Sequence, residues 1–163
     1  MNGDDEALVL RLADTLRAKG LRVASAESCT GGLIAAACTS IAGSSDWFER
    51  GFVSYSNAAK SELLGVDARL IAAEGAVSEP VALAMAEGAL IHSPADLVVA
   101  VTGIAGPGGG SASKPVGLVW LAIARRGLQP RAERLQLKGD RAAVRAQTVR
   151  IALERLLRAA EAA

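Results

Sequence analysis

Aromatic side chains make up only 3% of the 163 residues, with a single tyrosine. The core must therefore be built from Leu, Val, Ile and a great deal of Ala, small side chains that suit closely approaching helices and strands. Cysteine is scarce as well. Cys29 and Cys38 stand nine positions apart in a predicted helical stretch, about half a turn out of phase, so they are not expected to pair. Two unpaired thiols suit a reducing compartment. Charge of one sign is missing, since eighteen basic against seventeen acidic residues leave a net +1, which gives no field to attract a polyanion and speaks against nucleic acid as a partner. There is no apolar run of membrane-spanning length, and "MNGDDEAL" is acidic where a signal peptide is basic. The expectation is a soluble, cytoplasmic protein with no membrane partner. Its length fits one domain over residues 1–163, with a core that needs no disulfide or structural metal.

What is present reads as alternating helices and strands. Leu8, Val9, Leu12, Ala13 and Leu16 recur at helical spacing before Gly20, predicting a first helix from Asp4 or Asp5 to Lys19. "LRVASAE" (21–27) reads as a strand, broken by "SCTGG" and followed by an Ala-rich helix from about Gly31 to Ser40. "GFVSYS" (51–56) reads as the second strand, with Asn57 as the cap of a helix through Leu64. Ser78 and Pro80 predict a helix from Glu79 to about Leu90. "ADLVVAVTG" is nearly all apolar, as in a strand buried on both faces, and is the expected sheet centre. "IAGPGGGSASKP" holds four glycines and two prolines in twelve residues, the composition of a mobile loop. "VGLVWLAIA" and an edge strand "RAERLQLK" follow. Asp140 caps a last helix to about Ala159, with Ala146, Val149, Leu153 and Leu156 as its expected apolar stripe. Five strands with intervening helices predict an α/β fold, a three-layer α/β/α sandwich.

In parallel α/β sheets, ligands bind beyond the carboxyl ends of the strands. Three such ends are marked by Ser28, by Tyr55 and Ser56, and by Thr102 and Gly103. With strand 1 in the middle they lie about 5 Å apart and converge on one pocket. A serine hydroxyl is a weak nucleophile and needs a base. The only histidine, His92, precedes strand 3 and so sits at the opposite end of the sheet, which rules out a Ser-His-acid triad. The remaining base is a lysine whose pKa is lowered by burial or a positive dipole. Lys60 follows Tyr55 by five residues, in the first turns of the next helix. N–H groups of Thr30, Gly31 and Gly32 are candidates to hold an oxyanion or a phosphate. Gly106 opens the glycine-rich loop beside the pocket, and Arg141 and Arg145, one helical turn apart, offer an anion site.

Each candidate has an ordinary alternative. Ser28 and Thr30 also serve as helix caps, Lys60 as a solvated lysine and Tyr55 as a strand residue. Arg141 and Arg145 equally suit surface ion pairs. Glu27 and Glu79, polar residues near turns, suit capping or solvent. Cys29 lacks a histidine to activate it as a nucleophile, and no cluster has metal-ligand spacing, so neither a metal nor a cofactor is expected. "GPGGGSASK" lacks the phosphate-loop order and precedes a strand rather than a helix.

Taken together, "AESCTGGL", "GFVSYSNAAKSELLGV", "GAVSEPVALAMAEGA", "AVTGIAGPGGG", "KPVGLVWLAIA" and "GDRAAVRAQTV" closely resemble the CinA C-terminal domain family, the PncC-type nicotinamide-nucleotide amidohydrolases. The resemblance covers nearly the whole chain. It implies a five-stranded mixed sheet like that of anticodon-binding domains, with strand 4 antiparallel; the short helix-free link into "VGLVWLAIA" agrees. It also implies hydrolysis of the carboxamide of nicotinamide mononucleotide to nicotinate mononucleotide and ammonia in pyridine nucleotide recycling, with the family's catalytic serine, tyrosine and lysine falling on Ser28, Tyr55 and Lys60, where Lys60 activates Ser28 and Tyr55 relays or orients the proton. The partner is then a small nucleotide substrate. Some members of the family carry a further N-terminal domain related to molybdopterin-binding proteins, which this sequence is expected to lack. A nucleotide-binding regulatory module with little turnover and a serine-lysine amidase for another small amide are the competing readings. The Ala-rich faces would also suit a homodimer, although an amphipathic stripe alone does not tell an internal partner from a second copy.

Overall fold

A computed structural model of the protein describes all of residues 1–163. Five strands form one mixed sheet in the order β2-β1-β3-β4-β5: β1 (Val23–Glu27), β2 (Phe48–Val53), β3 (Leu97–Gly103), β4 (Leu118–Arg125) and β5 (Arg131–Gln136). β1 pairs parallel with both β2 and β3, while β4 runs antiparallel to its neighbours β3 and β5. The helix-free link between β3 and β4 requires that reversal, because a parallel crossover needs a long connection.

The sheet is covered on both faces, and the alternation of β3 divides the core. Leu97, Val99 and Val101 pack with helices α1 (Gly3–Lys19), α2 (Leu33–Cys38) and α6 (Arg141–Glu161). Val98 and Ala100 point the other way, into α3 (Asn57–Leu64), α4 (Ala68–Glu74) and α5 (Glu79–Ile91). The central strand is buried along Leu97–Thr102, as its unbroken apolar sequence demands. The edge strand β5 instead alternates between exposed and half-buried residues.

Local chemistry sets the helix ends. The side chain of Asn2 accepts from the Asp5 N–H at the start of α1, Ser78 accepts from Val81 with Pro80 in the first turn of α5, and Asp140 accepts from Ala143 at the start of α6. Four expectations are corrected. The cap of α3 is Ser56, whose hydroxyl accepts from the Ala59 N–H, and not Asn57. β2 begins at Phe48 and ends at Val53, so Tyr55 and Ser56 lie in the turn beyond it. α2 is only six residues long because Gly31 and Gly32 adopt left-handed backbone (φ 57° and 106°), which delays the helix to Leu33. The buried stripe of α6 is Val144, Thr148, Ala152, Leu153, Leu156, Leu157 and Ala160; Ala146 faces solvent and Val149 is half-buried. α4, capped by Asp67, had no counterpart among the expected elements.

The glycine-rich connection is anchored at its base. The Gly117 N–H donates to the Ile104 carbonyl (2.7 Å), and Lys114 Nζ reaches the Glu74 carbonyl at the end of α4 (2.6 Å). No helix is long and apolar enough to cross a membrane.

Candidate active site

The carboxyl ends of β1 and β3 and the turn after β2 open onto a cavity of about 300 Å³, at the lower end of the range for small-molecule sites. Ser28 enters it directly after β1. Its N–H donates to the Val101 carbonyl (3.0 Å), which extends the β1–β3 ladder by one residue and fixes where the side chain starts. Lys60 arrives from the second turn of α3 and is 1% exposed. Its Nζ donates to Ser28 Oγ at 3.0 Å and to the Tyr55 main-chain carbonyl at 3.0 Å. Ser28 Oγ also lies 3.4 Å from that carbonyl as a donor. The three groups form a closed contact in which one peptide oxygen orients both the hydroxyl and the amine.

Burial pushes the Lys60 amine below its ordinary pKa, and the nearby Cys29 opposes this. The cause is desolvation, which penalises the ammonium form. A buried lysine without a carboxylate partner, in hydrogen-bond contact with a serine hydroxyl, can act as a base toward that hydroxyl. Cys29 itself is buried and its thiol is pushed up to about 11 by desolvation, which leaves it protonated beside the reactive pair.

Of the other residues picked out from sequence, Thr102, Gly103, Gly106 and Arg141 line the cavity with Tyr55. Thr102 Oγ1 donates to the Ala76 carbonyl (2.9 Å), tying β3 to the α4–α5 connection that forms one wall. The Tyr55 side chain is 59% exposed at the mouth, where its hydroxyl accepts from Arg141 Nη2 (3.4 Å). Arg141 Nη1 donates to the Gly106 carbonyl (2.9 Å), so this guanidinium bridges the glycine-rich loop and Tyr55 across the opening.

Thr30, Gly31, Gly32 and Arg145 are not brought into the cavity lining. Thr30 is fully buried and donates its hydroxyl to Glu27 (2.6 Å). The Gly31 N–H is engaged by the Ser28 carbonyl (3.1 Å). Arg145 donates from Nε to the Cys29 carbonyl (3.1 Å) and from Nη2 to the Thr30 carbonyl (3.2 Å). The left-handed backbone at Gly31 and Gly32 delays the start of α2 to Leu33.

Sequence reasoning missed Asn57, Ala76 and Val77 as cavity residues. The sequence marks Asn57 only as a helix cap. The other two follow the end of α4, a helix with no counterpart among the expected elements. His92 caps α5, its Nδ1 2.8 Å from the Gly88 carbonyl, before the entry end of β3 and so at the opposite end of the strands from the cavity. No group of three or more His, Cys, Asp or Glu side chains is placed to hold a metal ion.

Fold and site together define an α/β protein with a mixed five-stranded sheet whose cavity is built around a serine–lysine contact. The sequence model described as CinA C-terminal domain matches residues 5–160. The chain belongs to the CinA C-terminal domain family. It is 54% identical over 151 residues to the nicotinamide-nucleotide amidohydrolase PncC of Enterobacter agglomerans, covering 93% of this chain and 92% of that protein. It is 50% identical over 155 residues to the protein of the same name from Escherichia coli K12, covering 94% of each. Among solved structures, the competence/damage inducible protein CihA of Agrobacterium tumefaciens superposes with a TM-score of 0.94 at 51% identity, over 97% of this chain and 96% of that one.

Proposed function

We propose that the chain is a nicotinamide-nucleotide amidohydrolase that deamidates nicotinamide mononucleotide, with Ser28 as nucleophile and Lys60 as its base. The contact between Lys60 Nζ and Ser28 Oγ at 3.0 Å, with both groups buried at the floor of a small-molecule cavity, carries this reading. The names and near full-length similarity of the Enterobacter and Escherichia proteins supply the substrate class.

In this mechanism the neutral Lys60 amine takes the Ser28 proton as Oγ attacks the carboxamide carbon. The Tyr55 carbonyl keeps the amine on Ser28 by accepting from Nζ, and the Ser28 hydroxyl turns from that carbonyl to donate to the neutral amine. The tetrahedral intermediate collapses as the C–N bond breaks, and the Lys60 ammonium returns the proton to the leaving nitrogen, releasing ammonia. A water molecule, deprotonated by Lys60, then attacks the acyl-serine ester and frees the carboxylate product and Ser28. Arg141 is the cation at the mouth and holds the substrate phosphate, with the Tyr55 hydroxyl beside it. Thr102, Gly103 and Gly106 shape the wall that receives the ring. Two buried, unpaired thiols are at home in a reducing compartment, which fits action in the cytoplasm.

The test is ammonia release from nicotinamide mononucleotide by the wild type, Ser28→Ala and Lys60→Ala, with chelator present. Release by the wild type that is lost in both variants is the expected result. A folded wild type that binds the nucleotide without releasing ammonia would sink the proposal and favour a binding module.

A further inference from the structure

The turn that carries Ser28 is gripped from two sides by charged groups that have no place in the proton transfers. From within the fold, the fully buried Glu27 carboxylate accepts four hydrogen bonds. Oε1 receives the Thr30 hydroxyl (2.6 Å) and the Ile34 N–H (2.8 Å); Oε2 receives the Ala35 N–H (3.0 Å) and the Ser25 hydroxyl (3.3 Å). From outside, Arg145 of α6 places its guanidinium on the Cys29 and Thr30 carbonyls. We infer that Arg145 and Glu27 are positioning residues for Ser28, a two-sided clamp that fixes the nucleophile turn over residues 28–32 so that Oγ meets Lys60. The inference rests on the reading of Ser28 as nucleophile.

The chemistry of the contacts carries the assignment. Hydrogen bonds to a charged group are shorter and stronger than neutral ones; here Arg145 acts on the turn itself at the Cys29 and Thr30 carbonyls, while Glu27 holds it through the Thr30 hydroxyl and fixes its exit through the Ile34 and Ala35 amides of α2. A turn with two left-handed glycines has little intrinsic preference for one geometry, so its shape must be imposed from outside. Arg145 contacts two successive carbonyls with a planar fork, which a lysine cannot reproduce. Arg141, one helical turn earlier, faces the cavity; Arg145 faces the turn. The two arginines of α6 therefore divide the work, the first toward substrate and the second toward the nucleophile.

The experiment reads the reactivity of Ser28 separately from nucleotide turnover. A fluorophosphonate probe labels an activated serine, and intact mass gives the labelling rate for the wild type, Ser28→Ala, Arg145→Ala and Arg145→Lys. With Ser28→Ala unlabelled, Arg145→Ala is expected to label about 10- to 100-fold more slowly and to lose kcat by a similar factor, the size of effect that a misplacement near 1 Å produces. Its KM stays within about two-fold, because the change acts in the chemical step. Millimolar guanidinium restores part of the rate to Arg145→Ala, whose thermal melt stays at that of the wild type, so that the loss lies in the turn and not in folding. Arg145→Lys falls in between. Glu27→Gln puts an amide donor against backbone donors and lowers the labelling rate likewise; since Glu27 is fully buried, the half-buried Arg145 decides the matter. Wild-type labelling rates in Arg145→Ala overturn the clamp and leave the Ser28–Lys60 reading intact. A wild type that neither labels at Ser28 nor releases ammonia overturns both.

Discussion

Replacing Gly88 by alanine tests how the scaffold holds Lys60 in place. Gly88 is buried on α5 against the end of α3. A Cβ there would stand 2.0 Å from the Leu64 carbonyl oxygen, 2.9 Å from its carbon and 3.0 Å from its Cβ. On helix propensity alone, Gly→Ala inside a helix gains up to about 1 kcal/mol. Packing reverses the sign. The obstacle is backbone rather than a flexible side-chain tip, so α3 must retreat by about 1 Å to restore a 3.0 Å contact. Overpacking of this kind costs about 1–3 kcal/mol, sometimes more, and an unavoidable backbone clash belongs at or above the upper end. The net expectation is about 2 kcal/mol of destabilisation, a fall in Tm of about 4–8 °C for a chain of this size. Lys60 lies one turn before Leu64, so the retreat also lengthens its 3.0 Å contact to Ser28, with a loss of up to about 10²-fold in kcat. Thermal denaturation followed by circular dichroism, beside ammonia release, checks both halves. Gly3→Ala is the control, because nothing lies within 4 Å of a Cβ at that helical position. A Gly88→Ala protein as stable as the wild type would refute the reasoning.

Two further outcomes follow from buried groups. Because the folded-state pKa of Lys60 lies below its ordinary value of 10.5, the unfolded chain binds more protons between those two values, and stability should rise with pH across that window. Turnover should instead rise as pH passes through the lower, folded-state value, where the amine in the native enzyme becomes neutral, and level off above it. Urea melts on the wild type and Lys60→Met, with a kcat profile of the wild type, check this; a slope in stability that survives in Lys60→Met would assign it to another group. The thiols of Cys29 and Cys38 are pushed up to about 11 and about 12 by burial, so neither should react with a thiol-specific reagent at pH 7.5 until the chain unfolds. Stoichiometric labelling of the native protein within minutes would contradict that.

Most of the sheet could be read from the sequence because its signals are local. β3 declares itself by an unbroken apolar run, and the reversal into β4 by a link with no helix in it. The ends of α1, α5 and α6 follow from side chains that cap their own backbone. The misses are places where tertiary contacts overrule local preference. α2 reads as ten residues from its alanines, yet the backbone of Gly31 and Gly32 and the reach of Glu27 to the Ile34 and Ala35 amides set its start at Leu33. The orientation of α6 depends on what it packs against, and shifting the stripe from Ala146 to Val144 and Thr148 is a rotation that a mostly alanine and arginine sequence does not specify.

The site divides along the same line. Ser28 and Lys60 could be brought together from sequence because each follows its strand by a fixed offset and parallel strands align their ends. Tyr55 shows where such reasoning stops. Its position was legible, but the atom that touches Ser28 and Lys60 is its main-chain oxygen, while the phenol points to Arg141 at the mouth. A residue chosen for its side chain is thus engaged with the reactive pair through a group that every amino acid possesses. Tyr55→Phe leaves that carbonyl in place and removes only the hydroxyl contact with Arg141, so within the proposed mechanism the tyrosine hydroxyl belongs to substrate capture and the tyrosine backbone to catalysis. Residue identity alone does not make that distinction; the turn between β2 and α3, capped by Ser56, makes it by pointing the carbonyl inward.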